Sequence, residues 1–411
     1  MGDIPQNWDI KRVKYLASLK GRIGWQGLTS DEYIDEGPYL ITGIDFKDGG
    51  IDWDNCVHIS EKRWAEAPEI HIKNGDLLIT KDGTVGKVAI VSGLDGKASL
   101  NSGVLLVRTY ENFDKRFLFW VLQSEEFWTW FRLKNAGNST IIHLYQGDFA
   151  EFSYTFPEIE EQQQIAAFLD VQCAKIDGVI ADIEKQIETL QKYKKSLITE
   201  TVTKGLDKSV LMKDSDIEWI GKIPAHWKRT RVKYKTEIIG SGTTPDSGNP
   251  MFYDGPYPWI QSGDLYNTDY IFETEKQLTD AAIIDCKSLT KYEKDFVVLA
   301  MYGASVGNVS ISKIDAYTNQ ACCAMKLQKN NDNRYLYYFL RAAQEEMLLK
   351  AFGGTQPNIS QVIVKNLNFL DVPYAEQLEI SIYLDQKCEA IDALSPTVLL
   401  LTVSCKMPYY L

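Results

Sequence analysis

The sequence repeats itself, so any fold for it has to be built twice. Gly2-Asp3-Ile4-Pro5-Gln6-Asn7-Trp8 returns as Gly221-Lys222-Ile223-Pro224-Ala225-His226-Trp227, and Arg12-Val13-Lys14-Tyr15 returns as Arg231-Val232-Lys233-Tyr234. Leu78 through Ile90 matches Leu299 through Ile311, and Asn101 falls opposite Asn319. The run Phe117-Leu118-Phe119-Trp120 falls opposite Tyr335-Leu336-Tyr337-Tyr338. Phe168-Leu169-Asp170 and Ile176-Asp177 match Tyr383-Leu384-Asp385 and Ile391-Asp392. Matches in one order, at an offset between 215 and 221, make a tandem duplication. Each copy reads as an Ile-Pro-x-x-Trp opening, a basic strand, a variable loop segment, and short β-branched strands with turns at Asp82-Gly83 or Tyr302-Gly303. Then come an aromatic helix (about 114–131 and 332–350), a loop (137–140, 353–355), a last strand into Pro157 or Pro373, and a long helix.

The first long helix is the strongest local signal. From Glu160 to about Thr203 there is no Pro, and Leu169, Cys173, Ile176, Ile180, Ile183, Ile187, Leu190 and Leu197 recur alternately four and three apart. Lys194 is the single gap. Four heptads of this kind predict a coiled-coil helix. At a rise of about 1.5 Å per residue it spans on the order of 66 Å, too long to be buried in one small domain. The expected fold class is α+β: two mixed α/β domains separated by long coiled-coil helices. The expected bounds are 1–157, a central helix over 158–208, 209–373, and a second helical region over 374–411.

Bulk properties narrow the function. The 411 residues are 45% hydrophobic and 12% aromatic, enough for two or three real cores. No run of 18 apolar residues predicts a membrane span, and MGDIPQNW lacks the features of a signal peptide. Seven cysteines without a CxxC, and four scattered histidines, argue against a disulfide framework or zinc site and fit a reducing cytoplasm. A net charge of -12 counts against a simple non-specific nucleic-acid binder but leaves room for a local basic patch or for partners that supply positive charge.

Few motifs suggest catalysis. Asn249-Pro250-Met251-Phe252 resembles the Asn-Pro-Pro-Phe signature of DNA amino-methyltransferases, but it lies in a Gly/Pro/Ser-rich stretch with no βαβ methyl-donor loop before it, and reads as a loop. Gly83-Thr84-Val85-Gly86-Lys87 lacks phosphate-loop spacing and precedes a strand-like Val88-Ala89-Ile90-Val91, so it reads as a hairpin, with Lys87 a phosphate-contact candidate. His58 and His71 stand in strand-like surroundings, and no Ser/His/Asp constellation is visible.

Features shared by both copies are expected to serve the scaffold, and features that differ to carry what each half reads differently. Segments 20–37 and 239–257 differ almost completely, as do Lys81, Asp82, Thr84 and Lys87 from Tyr302, Gly303, Ser305 and Asn308. Arg22, Trp25, Asn138, Ser139, Thr140 and His143 in one half, and Thr243, Thr244, Thr355, Gln356 and Asn358 in the other, combine basic, aromatic, amide and hydroxyl groups that can meet base edges. With Lys81, Thr84, Lys87, Tyr302, Ser305 and Asn308 they form the candidate DNA-contact set. Each is also an ordinary loop former.

The ordered motifs resemble one family, the specificity subunits of type I restriction–modification systems, over residues 2–392. The resemblance rests on Ile4-Pro5-x-x-Trp8 and Ile223-Pro224-x-x-Trp227; on Gly242-Thr243-Thr244-Pro245, Pro258-Trp259-Ile260 and Gly263-Asp264-Leu265; and on Asp82 through Lys87. It closes on Pro157-x-x-x-Glu161-Gln162-Gln163-x-Ile165-Ala166-x-Phe168-Leu169-Asp170. The resemblance implies two target-recognition domains, each reading half of a split DNA sequence, held apart by two antiparallel helices. It also implies a non-catalytic chain on double-stranded DNA, with two methylation subunits that bring S-adenosylmethionine. They methylate adenine after flipping it. Motor-nuclease subunits, where present, bring ATP and Mg. No cofactor or metal is expected in this chain.

The second copy departs from the pattern after Ile391-Asp392. Ser395 stands where Ile180 stands in the first copy, Pro396 replaces Ala181, and the tail is apolar, with Lys406 its one charge. A Pro inside a helix costs about 3 kcal/mol, so the second helix is expected to be truncated, missing most of its length and exposing the first seam. Two other function classes stay open: a stand-alone or defective DNA-binding scaffold, which would bind DNA without a partner, and a methyltransferase resting on Asn249, which would bind methyl donor alone.

Overall fold

The computed structural model describes residues 4–22, 28–136, 142–303, 305–351 and 357–406, with 395–406 as backbone only. The chain divides into two compact units, Met1–Glu184 with Leu399–Leu411, and Lys185–Val398.

In the first unit, strands Ala17–Gly21, Val104–Thr109, Leu77–Thr80 and Val88–Ile90 form an antiparallel sheet in that spatial order. Its β-branched and leucine residues alternate between two cores, as period-two side chains must. Leu77, Ile79, Leu105 and Val107 pack with Phe117, Phe127, Phe131 and Phe149 from the helical side. Leu78, Ala89, Val104 and Leu106 pack with Ile41, Ile70, Ala98 and Leu100 on the other face. A smaller sheet sets Ile34–Ile41 between Val57–His58 and a parallel Ala98–Leu100.

The second unit repeats this plan. Thr236–Ser241, Cys322–Leu327, Phe296–Ala300 and Val309–Ser312 lie in the same order, extended by a parallel Tyr270–Ile271. Val297, Leu299, Cys323 and Met325 face the helical core, and Val298, Ala300, Cys322 and Ala324 face the other. Tyr253–Ile260 again sits between a short antiparallel strand and the parallel Tyr317–Thr318.

The aromatic helix expected in each copy is two helices. Lys115–Val121 and Glu125–Lys134 are separated at Ser124, whose hydroxyl caps the second by accepting from Phe127 N. Asn333–Ala342 and Gln344–Leu349 break at Ala343.

The closing signature fastens each domain to its long helix. Trp8 Nε1 donates to Glu161 at 3.3 Å, and Trp227 Nε1 donates to Glu376 at 2.9 Å. Gln162 accepts from Asp114 N and donates to the Pro157 carbonyl, as Gln377 accepts from Asp332 N and donates to Val372 O. Asp170 accepts from Arg116 Nε and Trp120 Nε1, both at 2.8 Å. Asp385 accepts from Arg334 NH1 and the Tyr338 hydroxyl, also at 2.8 Å.

The central helix runs Ile159–Lys204, 46 residues. Leu169, Cys173, Ile176, Ile183, Ile187 and Leu190 are half-buried, and Ile180 is 7% exposed, while most of their flanking residues are exposed. Within the second unit Ile198 and Val202 join the main core, with Leu197 packed against it. Lys194, the gap in the heptads, is 14% exposed in its side chain and pairs with Asp392 at 2.6 Å. Leu206 lines one pocket with Glu376 and Ile380. Rising numbers on one segment thus meet falling numbers on the other, and the two run antiparallel.

The C-terminal helix corrects the expected loss of most of its length. It runs Tyr374–Lys406, 33 residues, with helical backbone through Pro396. Pro396 removes one backbone N–H without ending the helix. The second helix is shorter than the first but not missing. Among the described residues, no helix is long and apolar enough to cross a membrane.

Asp385→Ala removes a partner from the buried Tyr338 hydroxyl and from Arg334, and is expected to cost about 2 kcal/mol. A lower urea midpoint at unchanged slope checks this; an unchanged midpoint contradicts it.

Candidate nucleic-acid interface

Lys81–Lys87 closes a hairpin, with Leu77 opposite Ile90 and Ile79 opposite Val88. Val88–Ile90, directly after Lys87, is a strand, as expected, and not the helix that a phosphate loop requires. Gly86 has φ +86°, and a β-carbon there would lie 2.4 Å from Trp128 Cη2. The Thr80 hydroxyl donates to Thr84 O and accepts from Lys87 N, and Thr84 Oγ1 donates to Gly43 O at 3.0 Å. Lys81 N donates to Gly103 O at 2.8 Å, and Leu144 N donates to Lys81 O at 2.9 Å. Four segments far apart in sequence, around residues 43, 84, 102 and 143, therefore meet at one end of the sheet.

The second unit builds the same backbone frame. Met301, one residue before the sequence match of Lys81 at Tyr302, takes the place of Lys81 in the sheet: Met301 N donates to Ala321 O at 2.7 Å, where Lys81 N meets Gly103 O, and Ile359 N donates to Met301 O at 2.7 Å, where Leu144 N meets Lys81 O. Gly307 N donates to Ala300 O as Gly86 N donates to Thr80 O. Asn319 N donates to Ile260 O as Asn101 N donates to Ile41 O. The Asn101 and Asn319 side-chain oxygens each accept the N–H two residues on, from Gly103 and Ala321.

The side chains carried by this frame differ. In the first unit His143 Nδ1 lies 2.5 Å from Asp82 Oδ1, beside half-buried Lys81 and Thr84 and exposed Lys87. In the second, Thr244 Oγ1 meets Gln320 Oε1, Thr243 Oγ1 lies 3.1 Å from Ser288 Oγ, and Tyr302 is half-buried. Burial, then Cys322, pushes the Tyr302 phenol pKa up, against a hydrogen bond with Gln320, so it stays a neutral donor. Asn308 Nδ2 donates to Leu265 O at 3.3 Å, Ser305 is buried, and Asn358 is exposed. Ser305, buried, departs from its expected contact role; the rest of the mixture can donate to and accept from base edges.

Arg22 departs from its expected role. Its side chain is 3% exposed, with Nε donating to Leu100 O at 2.7 Å and NH2 to Ser99 Oγ at 2.9 Å. It braces the smaller sheet from within. Trp25, Asn138, Ser139, Thr140, Thr355 and Gln356 lie outside the described residues. Asp82, Ser288 and Gln320 join the site from outside the candidate contact set; the sequence signal for Gln320 is its place beside Asn319 in the matched register. Gly242 explains its motif, since a β-carbon there would sit 1.7 Å from Thr318 O.

The remaining motifs are structural. Asn249 Oδ1 caps a turn by accepting from Met251 N. His71 stacks on Trp64 with centroids 3.6 Å apart, and His58 Nδ1 meets Gly37 O. Among the described residues, no group of histidine, cysteine and carboxylate side chains could hold a metal.

Comparison with known proteins agrees with this geometry. The model of the type I restriction modification DNA specificity domain matches residues 5–189 and 226–395. The MjaVIII type I restriction enzyme specificity subunit of Methanocaldococcus jannaschii is 28% identical over 389 residues, covering 91% of this chain and 84% of that one. A second chain from that organism, named as the putative MjaX specificity subunit, is 26% identical over 409 residues, 96% of this chain and 89% of its own. A chain solved in work on assembly and conformational transition of the type I R-M system superposes with a TM-score of 0.76 at 16% identity, covering 99% of this chain and 96% of that one. The HsdS subunit from Thermoanaerobacter tengcongensis superposes at 0.56 and 16% identity, covering 98% and 96%. The chain belongs to the type I restriction–modification DNA specificity family, and its two copies are two such domains. Members of that family confer DNA sequence specificity and are not themselves the catalysts.

Gly86→Ala meets Trp128 and strained backbone together and is expected to cost about 2 kcal/mol. Lys87→Ala, at an exposed position, is expected to change stability by less than about 0.5 kcal/mol. Urea titration of both variants checks the contrast; equal midpoints contradict it.

Proposed function

We propose that this chain reads a bipartite double-stranded DNA target, one half with each unit, and carries two copies of a methylation subunit that modify adenine. One observation supports this above the rest: the same backbone frame holds two different sets of polar side chains. Asp82, His143, Lys81, Thr84 and Lys87 serve one half-site, and Thr243, Thr244, Gln320, Tyr302 and Asn358 serve the other. In this reading the paired helices set the gap between half-sites, with Lys194–Asp392 fixing their register as a polar group in a heptad seam does. S-adenosylmethionine is bound by the methylation subunits, and ATP with Mg by motor-nuclease subunits where the system has them. The acidic net charge is tolerated because the partners help enclose the DNA.

The test is a strand-resolved adenine methylome of a host free of its own adenine methylation, expressing this chain with the methylation subunit of its system. The expected result is a split motif methylated on both strands. Asp82→Ala with His143→Ala is expected to relax one half and leave the other intact. A continuous motif, or relaxation of both halves together, contradicts the reading. Specific DNA binding by the chain with no methylation in any arm supports a scaffold without a modification partner.

A further inference from the structure

One exposed cluster recurs in both units with its geometry intact, and the cores do not require it. In the first unit Tyr15 is 63% exposed, with Lys14 Nζ 5.2 Å from its ring centroid. Arg12 and Lys14 both bond Glu151, at 2.8 and 2.6 Å. In the second unit Tyr234 is 62% exposed, with Lys233 Nζ 5.1 Å from its ring. Arg231 and Lys233 both donate to Asn366 Oδ1, at 3.2 and 2.8 Å. Val13 and Val232 between them are buried, and their N–H groups bond Phe152 O and Leu367 O. The valines serve packing. An exposed tyrosine ring does not. Neighbouring exposed positions have diverged, Ile10 standing where Arg229 stands, yet Arg, Lys and Tyr persist in both copies.

The sheet register places the cluster away from the reading loops. Ala17, two residues after Tyr15, pairs with Thr109, while Gly21 pairs with Leu105. The hairpin loop leaves from Thr80, which pairs with Val104. In the second unit Thr236 pairs with Leu327, whereas Ala300 pairs with Cys322. A five-residue strand, about 17 Å, separates the two ends. DNA held by the loops is therefore at the opposite end of each sheet, and Glu151 offsets one of the two positive charges in the first cluster. Exposed Arg and Tyr held in place by fixed partners are the side chains that anchor protein interfaces.

We propose that Arg12-Lys14-Tyr15 and Arg231-Lys233-Tyr234 are two copies of one docking site, each engaging the same surface of the same protein. This rests on the specificity-subunit reading, which makes that protein the methylation subunit. The complementary surface carries carboxylates for the Arg and Lys and an apolar notch for the Tyr ring.

The experiment measures how many methylation subunits of the same system bind the full-length chain, by native mass spectrometry and sedimentation. The chains compared are the parent, Lys14→Ala with Tyr15→Ala, Lys233→Ala with Tyr234→Ala, and all four substitutions together. The milder Tyr15→Ser and Tyr234→Ser are run beside them, with melting midpoints confirming folding. The expected counts are two, one, one and none, with affinity at an altered site falling at least tenfold. If the parent binds two and every variant binds two with unchanged affinity, the docking site is wrong and the specificity-subunit reading stands. If the variants keep two subunits but lose DNA affinity with a shallower salt dependence, the clusters contact phosphates and the proposal falls. If the parent binds none, the reading beneath the proposal fails as well.

Discussion

One carboxylate near the start of each long helix ties the aromatic helix of its domain to that rod. Asp170 takes the Arg116 guanidinium and the Trp120 indole, and Asp385 takes the Arg334 guanidinium and the Tyr338 hydroxyl. The aromatic helix that packs the sheet from one side is thereby tied to the rod. Desolvated hydroxyl and indole groups need such partners, and a charged acceptor makes the bond stronger than a neutral one. The Trp8–Glu161 and Trp227–Glu376 bonds fasten the start of each repeat to the same helix. Together they explain why the closing signature appears twice in one order.

A domain fixed in this way can vary its loops without losing its frame. The bonds that the two loop frames share are mostly backbone to backbone, so they place few demands on side-chain identity. Lys81 can become Met301, and Leu144 can become Ile359, with the same two hydrogen bonds retained. Glycines are kept where the frame does make a demand, at Gly86 and Gly307, both at positive φ. A scaffold that is constant at the backbone and free at the side chain suits a family whose members differ in the sequence they recognise.

Much of this was legible in the residues. The duplication, the heptad helix, the hairpin at Asp82-Gly83 and the structural roles of Asn249, His58 and His71 follow from order, period and turn chemistry. Other features depended on long-range register. That Lys81, Gly103 and Leu144 meet cannot be read from a window of sequence, because sheet pairing brings them together. Arg22 looked like a base reader by residue type, but the smaller sheet buries its guanidinium against Leu100 and Ser99. The aromatic stretch carried one hydrophobic pattern across a break at Ser124 that a cap, not a pattern, decides. Pro396 suggested an end to the second helix, yet one lost N–H does not stop a helix of this length.

In the proposed function, each unit reads its own half-site through loops on a common frame. The most direct measurement is the methylated motif specified by a chain in which residues 209–373 are replaced by residues 1–157. The expected result is a split motif built from one half-site used twice. A motif that still contains the original second half-site would contradict it.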